Sequence, residues 1–191
     1  MHKATKVDGQ KIALSIVSTK QKEKEVVLKD LELFCQQLYK EADLPLSQLI
    51  IENDNKQSVL SLMFQLGPYR CKFRTAKTTP TKIGQFVTFY KKVEKKPILP
   101  YYVEDPFDLL IISCRFHQRF GQFIFPKSLL SEKGILCSEK CAGKRAMRVY
   151  PIWELAENAQ AKKSQKWQLD YFFSLSNPNS IANFKELVKK C

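Results

Sequence analysis

Three cations stand at alternate positions in the segment YRCKFRTAK, Arg70, Lys72 and Arg74, and Lys77 follows three residues later. In an extended strand, alternate residues share a face and recur about every 7 Å. Such a comb of positive charge suits the phosphates of a polynucleotide, whose contacts with Lys and Arg supply most of its sequence-independent affinity. Lys82, Arg115, Arg145 and Arg148 are cations of the same kind further along. No acid lies between Leu109 and Ser131, the stretch that carries Arg115, Arg119 and Lys127. Tyr101, Tyr102 and Phe116 are the rings that could stack on bases. Anion binding through Arg70, Arg74, Lys77, Lys82, Arg115, Arg145 and Arg148 is therefore the first expectation.

A second chemistry is metal-assisted phosphodiester cleavage, which needs carboxylates to hold magnesium and a cation beside the scissile phosphate. Lys77 ends one strand-like run and Asp108 opens another, and these two are the catalytic candidates. Acids are scarce where the cations are dense. Serine-nucleophile catalysis has no support, since G-x-S-x-G is absent and the histidines are only His2 and His117. Six glycines in total provide no phosphate-binding loop. Cys35, Cys71, Cys114, Cys137, Cys141 and Cys191 are scattered, which reads as reduced thiols and no metal site, since the four-residue spacing of Cys137 and Cys141 lacks a second ligand pair. No cofactor is indicated, magnesium belonging only to the nuclease alternative.

The charge distribution sharpens the first reading. The 191 residues carry 32 Lys+Arg against 19 Asp+Glu, a net charge of +13. Residues 1–68 are balanced, so the whole excess follows Pro68. A focused excess points to a polyanionic partner. A hydrophobic content of 44% with 12% aromatics excludes a wholly disordered chain. No apolar run is long enough for a membrane helix, and the expected location is cytoplasmic.

These residues need a scaffold. Residues 1–24 read as a polar, loosely ordered segment with one apolar stretch, Ile12–Val17, and residues 25–191 as one domain. Val27, Leu31, Phe34 and Leu38 recur at helical spacing, which predicts a helix over 25–42. Strands are expected near 49–52, 59–66, 69–77, 85–92, 107–116, 121–125 and 146–150. Of these, Leu109–Ile112, apolar on both faces, suits the centre of a sheet. Thr78–Ile83 reads as a polar turn or short helix. Helices are predicted after Pro126, over 158–175 and over 181–190. The order gives an α+β (or α/β) class with a central mixed sheet flanked by helices.

Four segments also occur together: RTAKTTPTKIGQFVTFYK at 74–91, FGQFIFP at 120–126, GKRAMRVYP at 143–151 followed by Trp153, and KWQLDYF at 166–172. In this order and spacing, across residues 58–175, the chain resembles the MepB family of bacterial proteins. The resemblance implies a fold similar to the PD-(D/E)XK nucleases, nucleic-acid binding and a degenerate nuclease site. In such nucleases an acid and a lysine two residues apart share a strand face. Here the matching positions are Thr75 and Lys77, and a threonine stands where the carboxylate would be. Glu52, Asp54 and Asp108 are the acids left to replace it. The expectation is a nucleic-acid-binding module, with single-stranded DNA or RNA as partner and without efficient cleavage. An active magnesium-dependent nuclease and a module for an acidic protein partner are the alternatives.

Overall fold

Leu109–Phe116 (β6) is buried along six consecutive residues, and the computed structural model places it inside the main sheet. The structure describes residues 19–52, 60–92 and 97–191. Ile12–Val17, Asp54, Lys95 and Lys96 lie outside them.

Beside β6 runs Tyr69–Thr75 (β3) in parallel, in register from Cys71 opposite Leu109 to Thr75 opposite Ser113. On the far side of β3, Ser61–Leu66 (β2) and Leu46–Ile51 (β1) complete an antiparallel meander. On the other flank, Arg119–Pro126 (β7) pairs antiparallel with β6, and Phe172–Phe173 (β11) closes the edge. The result is a mixed six-stranded sheet in the order β1-β2-β3-β6-β7-β11. A second sheet holds Lys77–Thr79 (β4), Lys82–Thr88 (β5) and Ala146–Val149 (β10), in the order β10-β5-β4. A small hairpin, Cys137–Ser138 (β8) with Cys141–Ala142 (β9), carries the two close cysteines.

The pleat sends alternate residues to two cores. Cys71, Phe73, Leu109 and Ile111 face the first, under helix α1 (Thr19–Phe34), its π-helical continuation Cys35–Tyr39 and α4 (Ser180–Val188). Leu110, Ile112 and Phe125 face the second, which is covered by the small sheet, α2 (Lys127–Glu132), α3 (Ala159–Leu169) and the loop around Tyr101. The α+β class with a central mixed sheet and flanking helices is the observed architecture. No helix among the described residues is long and apolar enough to cross a membrane.

Four elements differ from the sequence expectation. The first helix begins at Thr19, so residues 19–24 of the segment expected to be loose are helical. Lys, Gln and Glu favour helix without any apolar period to announce it. It stops before Asp43, whose φ of 59° is the left-handed geometry that ends a helix. The strand expected over 69–77 is interrupted at Ala76, where the chain leaves the main sheet for the second one. Thr78–Ile83 is neither free turn nor helix but the tip of a hairpin, Thr79 facing Lys82. Helix α3 ends at Leu169, short of the expected 175: Tyr171 lies in the turn before β11 and Leu175 beyond it.

Candidate functional site

Where β3 passes into β4, its end faces the first turns of α1, and the two enclose a cleft of about 560 Å³. Lys22 and Lys24 come from α1, Lys77 from the start of β4 and Arg115 from the end of β6; Glu23 is the acid in the lining. Lys22 and Lys24 are exposed and make no ion pair among the described residues. Arg115 is held in place: its Nε donates to Asp30 Oδ2 at 2.8 Å, Nη2 reaches Oδ1, and Nη1 donates to the carbonyl of His117 at 2.9 Å. Asp30 is buried, so this guanidinium is fixed on α1 while a third of its side chain stays exposed. Thr75 also lines the cleft, and its Oγ1 is shielded from solvent without a hydrogen-bond partner among the described residues. Val26, Val27 and Leu60 form apolar walls, which lower the local dielectric and strengthen the field of the cations.

The comb expected on β3 is absent as an exposed feature. Lys72 and Arg74 are 8% exposed, because β3 is an interior strand and this face is covered. Glu52, at the end of β1, neutralises both: Oε1 accepts from Lys72 Nζ at 2.8 Å and Oε2 from Arg74 Nη1 at 2.9 Å. Ser61 donates to Oε2, Arg74 Nη2 donates to Tyr101 Oη at 2.8 Å, and Lys72 Nζ lies 4.8 Å from the Tyr101 ring. Burial pushes the Glu52 carboxyl up, but the charges of Lys72 and Arg74 and the hydrogen bonds from Lys72 and Ser61 outweigh it and hold it below its ordinary value. Arg74 is therefore a structural cation, and Tyr101, buried in the second core, offers no stacking face.

The pair Lys77–Asp108 is not assembled. Asp108 precedes the first residue of β6 and Lys77 follows the last residue of β3, and these strands are parallel. The two side chains thus belong to opposite ends of the sheet, separated by seven residues of strand, roughly 23 Å. Asp108 instead pairs with Arg70, accepting from its Nε at 3.1 Å and its Nη2 at 3.0 Å. The hydrogen bond from Arg70 leads the effects that hold its carboxyl below the usual value. Arg70 is consequently at the end of the sheet away from the cleft. Among the described residues no three His, Cys, Asp or Glu side chains gather as a metal site. Glu52, the carboxylate that the buried cations of β3 meet, is engaged by two cations and a hydroxyl. The described residues at this strand end do not fit magnesium.

Lys82, Arg145 and Arg148 belong to the second sheet and its flanking loop. Arg148 is spent on architecture, donating to the carbonyl of Gly84 at 2.8 Å and to Thr79 Oγ1 at 2.8 Å across the hairpin. Lys82 and Arg145 are exposed. Of the seven expected binding residues, the cleft thus unites Lys77 and Arg115, while Arg70, Arg74, Lys82, Arg145 and Arg148 lie elsewhere. Lys22 and Lys24 escaped sequence reasoning because they sit in a charge-balanced region, in a K-E-K-E run whose bulk charge hides what one helix end presents. Tyr102 lies beneath Lys91 at 4.3 Å, and Phe116, 41% exposed, packs edge-on to His117. All six cysteines are free thiols. Burial pushes Cys35 up to about 12 and raises Cys71 and Cys114 as well, so these three remain protonated at neutral pH.

No curated protein matches the chain. A solved structure described as the crystal structure of MepB is similar at 35% identity with a TM-score of 0.66, covering 81% of this chain and 98% of its own. The MepB-like family model matches residues 52–174, which takes in β2 to β11, the whole of the second sheet, α2 and α3, and the chain belongs to that family.

Proposed function

We propose that this chain binds nucleic acid through its phosphates in the cleft between α1 and the β3–β4 junction, and does not cleave it. The observation that carries the reading is the composition of that cleft: among the described residues its lining holds four cations, Arg115 already paired with buried Asp30, and one acid, around an apolar-walled space. Arg115, pre-oriented by buried Asp30, supplies a planar donor suited to a phosphate, and Lys22, Lys24 and Lys77 supply point charges. The part of the reading without cleavage is supported by Thr75, a neutral hydroxyl where the resemblance would place a carboxylate, and by the engagement of Glu52 by Lys72 and Arg74.

The test is fluorescence anisotropy with a labelled single strand over a salt series. With four phosphate contacts, log affinity falls against log salt with a slope of about −3. The double variant Lys22→Glu/Lys24→Glu weakens binding by roughly ten-fold or more and flattens the slope. Affinity independent of salt, or unchanged in the double variant, refutes the cleft. Strand cleavage in the presence of magnesium or manganese refutes the second half of the reading.

A further inference from the structure

The β4–β5 hairpin has a second flank. Its base, Lys77 and Thr78, lines the cleft, whereas its tip, Thr81 to Ile83, lines a separate groove of about 730 Å³ against α3. Lys82 and Lys144 stand on the rim of this groove, both exposed and without an ion pair among the described residues. Lys133 adds a third cation, paired with its exposed neighbour Glu132, and among the described residues Glu157 is the acid in the lining. The floor is aromatic. Trp167 packs against Phe125 with ring centroids 5.4 Å apart, and Lys133 Nζ stands 5.9 Å from its centroid, at the outer limit of cation–π contact. Tyr150 lies beside it under Gly84, whose φ of 82° and lack of a side chain let the hairpin come down on the tyrosine ring; a Cβ there would meet the ring at 2.5 Å. Arg148 fastens this hairpin through its carbonyls, so the groove wall is rigid without using up the rim lysines.

Tyr150 is buried beneath the hairpin, so the ring within reach is part-exposed Trp167; cations on a rim beside such a ring can hold a single strand, with phosphates on the charges and a base on the ring. An acidic peptide would use the lysines but leave the aromatic floor unmatched. From Thr78 to Thr81 the hairpin spans at most about 10 Å, which a few nucleotides can cross. We infer that the groove is a second subsite for the strand held in the cleft, with phosphates on Lys82 and Lys144 and a base against Trp167. The inference rests on the cleft reading and adds a length requirement to it: short strands fill one subsite and longer ones both.

The full chain is titrated with single strands of about 4 and about 16 nucleotides, a range that spans single-strand site sizes. Tryptophan emission and competition against a labelled probe are the readouts. The longer strand binds roughly ten-fold tighter and quenches emission; the quenching is lost in Trp167→Phe and kept in Trp153→Phe. In Lys82→Glu/Lys144→Glu the advantage of the longer strand collapses, while the melting temperature, which these exposed positions do not control, is unchanged. If the longer strand gains nothing, if its advantage survives the double reversal, or if an oligoglutamate peptide competes equally well, the second subsite is refuted and the cleft stands. If neither length binds, the cleft reading falls and the inference with it.

Discussion

The cations on β3 and those on the first turns of α1 belong to the same residue types but live in opposite conditions. Lys72 and Arg74 point away from α1 into a covered face, with Glu52, Ser61 and Tyr101 saturating them. Lys22 and Lys24 stand in water at the mouth of the cleft. Thr75, on the same strand as the buried pair, faces the cleft because its position in the alternation is odd. One residue of register thus separates a structural charge cluster from a candidate binding wall. A buried cation must be paired to exist at all, whereas an exposed one is free to meet a ligand. Charge density along the chain therefore says little about binding until burial is known.

The largest effect that can break this contrast is expected at Glu52. In Glu52→Gln two mostly buried cations lose their counter-charge, and stability falls by about 3 kcal/mol, measurable by denaturant unfolding. Nucleic-acid affinity, if it resides in the cleft, changes little by comparison. The loss also has a pH signature. Because the folded carboxyl titrates below its ordinary value of 4.5, its contribution is fully present above that value and disappears as pH falls through the lowered one. The stability gap between wild type and Glu52→Gln is therefore wide at neutral pH and closes in acid; a gap constant with pH contradicts the ion-pair account.

Arg115 shares features of both groups, and Asp30 is the way to sharpen it. Asp30→Asn leaves the guanidinium without its buried anion and costs about 2 kcal/mol. It also unfastens the one cleft cation with a fixed direction, so affinity for a single strand drops several-fold, with a smaller change in salt slope than the Lys22→Glu/Lys24→Glu variant. Equal affinity in wild type and Asp30→Asn would show that Arg115 acts as a diffuse charge, without pre-orientation. The smallest effect is predicted at Arg70. Its pair with Asp108 is half exposed and sits at the far end of the sheet, so Arg70→Ala leaves melting temperature and affinity unaltered within error; weakened binding would extend the interface beyond the cleft.

Much of the scaffold was legible because it rests on local patterns. The double-sided apolar run of β6, the helical spacing of Leu31, Phe34 and Leu38, and the short helix after Pro126 each follow from one stretch of chain. The interruption at Ala76 was not legible, since YRCKFRTAK alternates without a break. What divides it is Ala76 binding to Ser113 of β6 just before the chain enters a different sheet. The end of α3 was misread for a related reason: Trp167 and Tyr171 both reach the second core, one from a helix and the other from the turn beyond it. Spacing alone does not distinguish the two routes.

The amino-acid order by itself determined the class of fold, the family and the excess of positive charge, because these depend on composition and on patterns a few residues long. Which cations are available was decided only in three dimensions. Parallel pairing of β3 with β6 put Asp108 at the opposite end from Lys77, the covering of an interior strand consumed Lys72 and Arg74, and the docking of α1 brought Lys22 and Lys24 across some fifty residues of chain to Thr75 and Lys77. The physical reason is that solvation and pairing of a charge depend on every neighbour in space, and those neighbours come from distant parts of the chain.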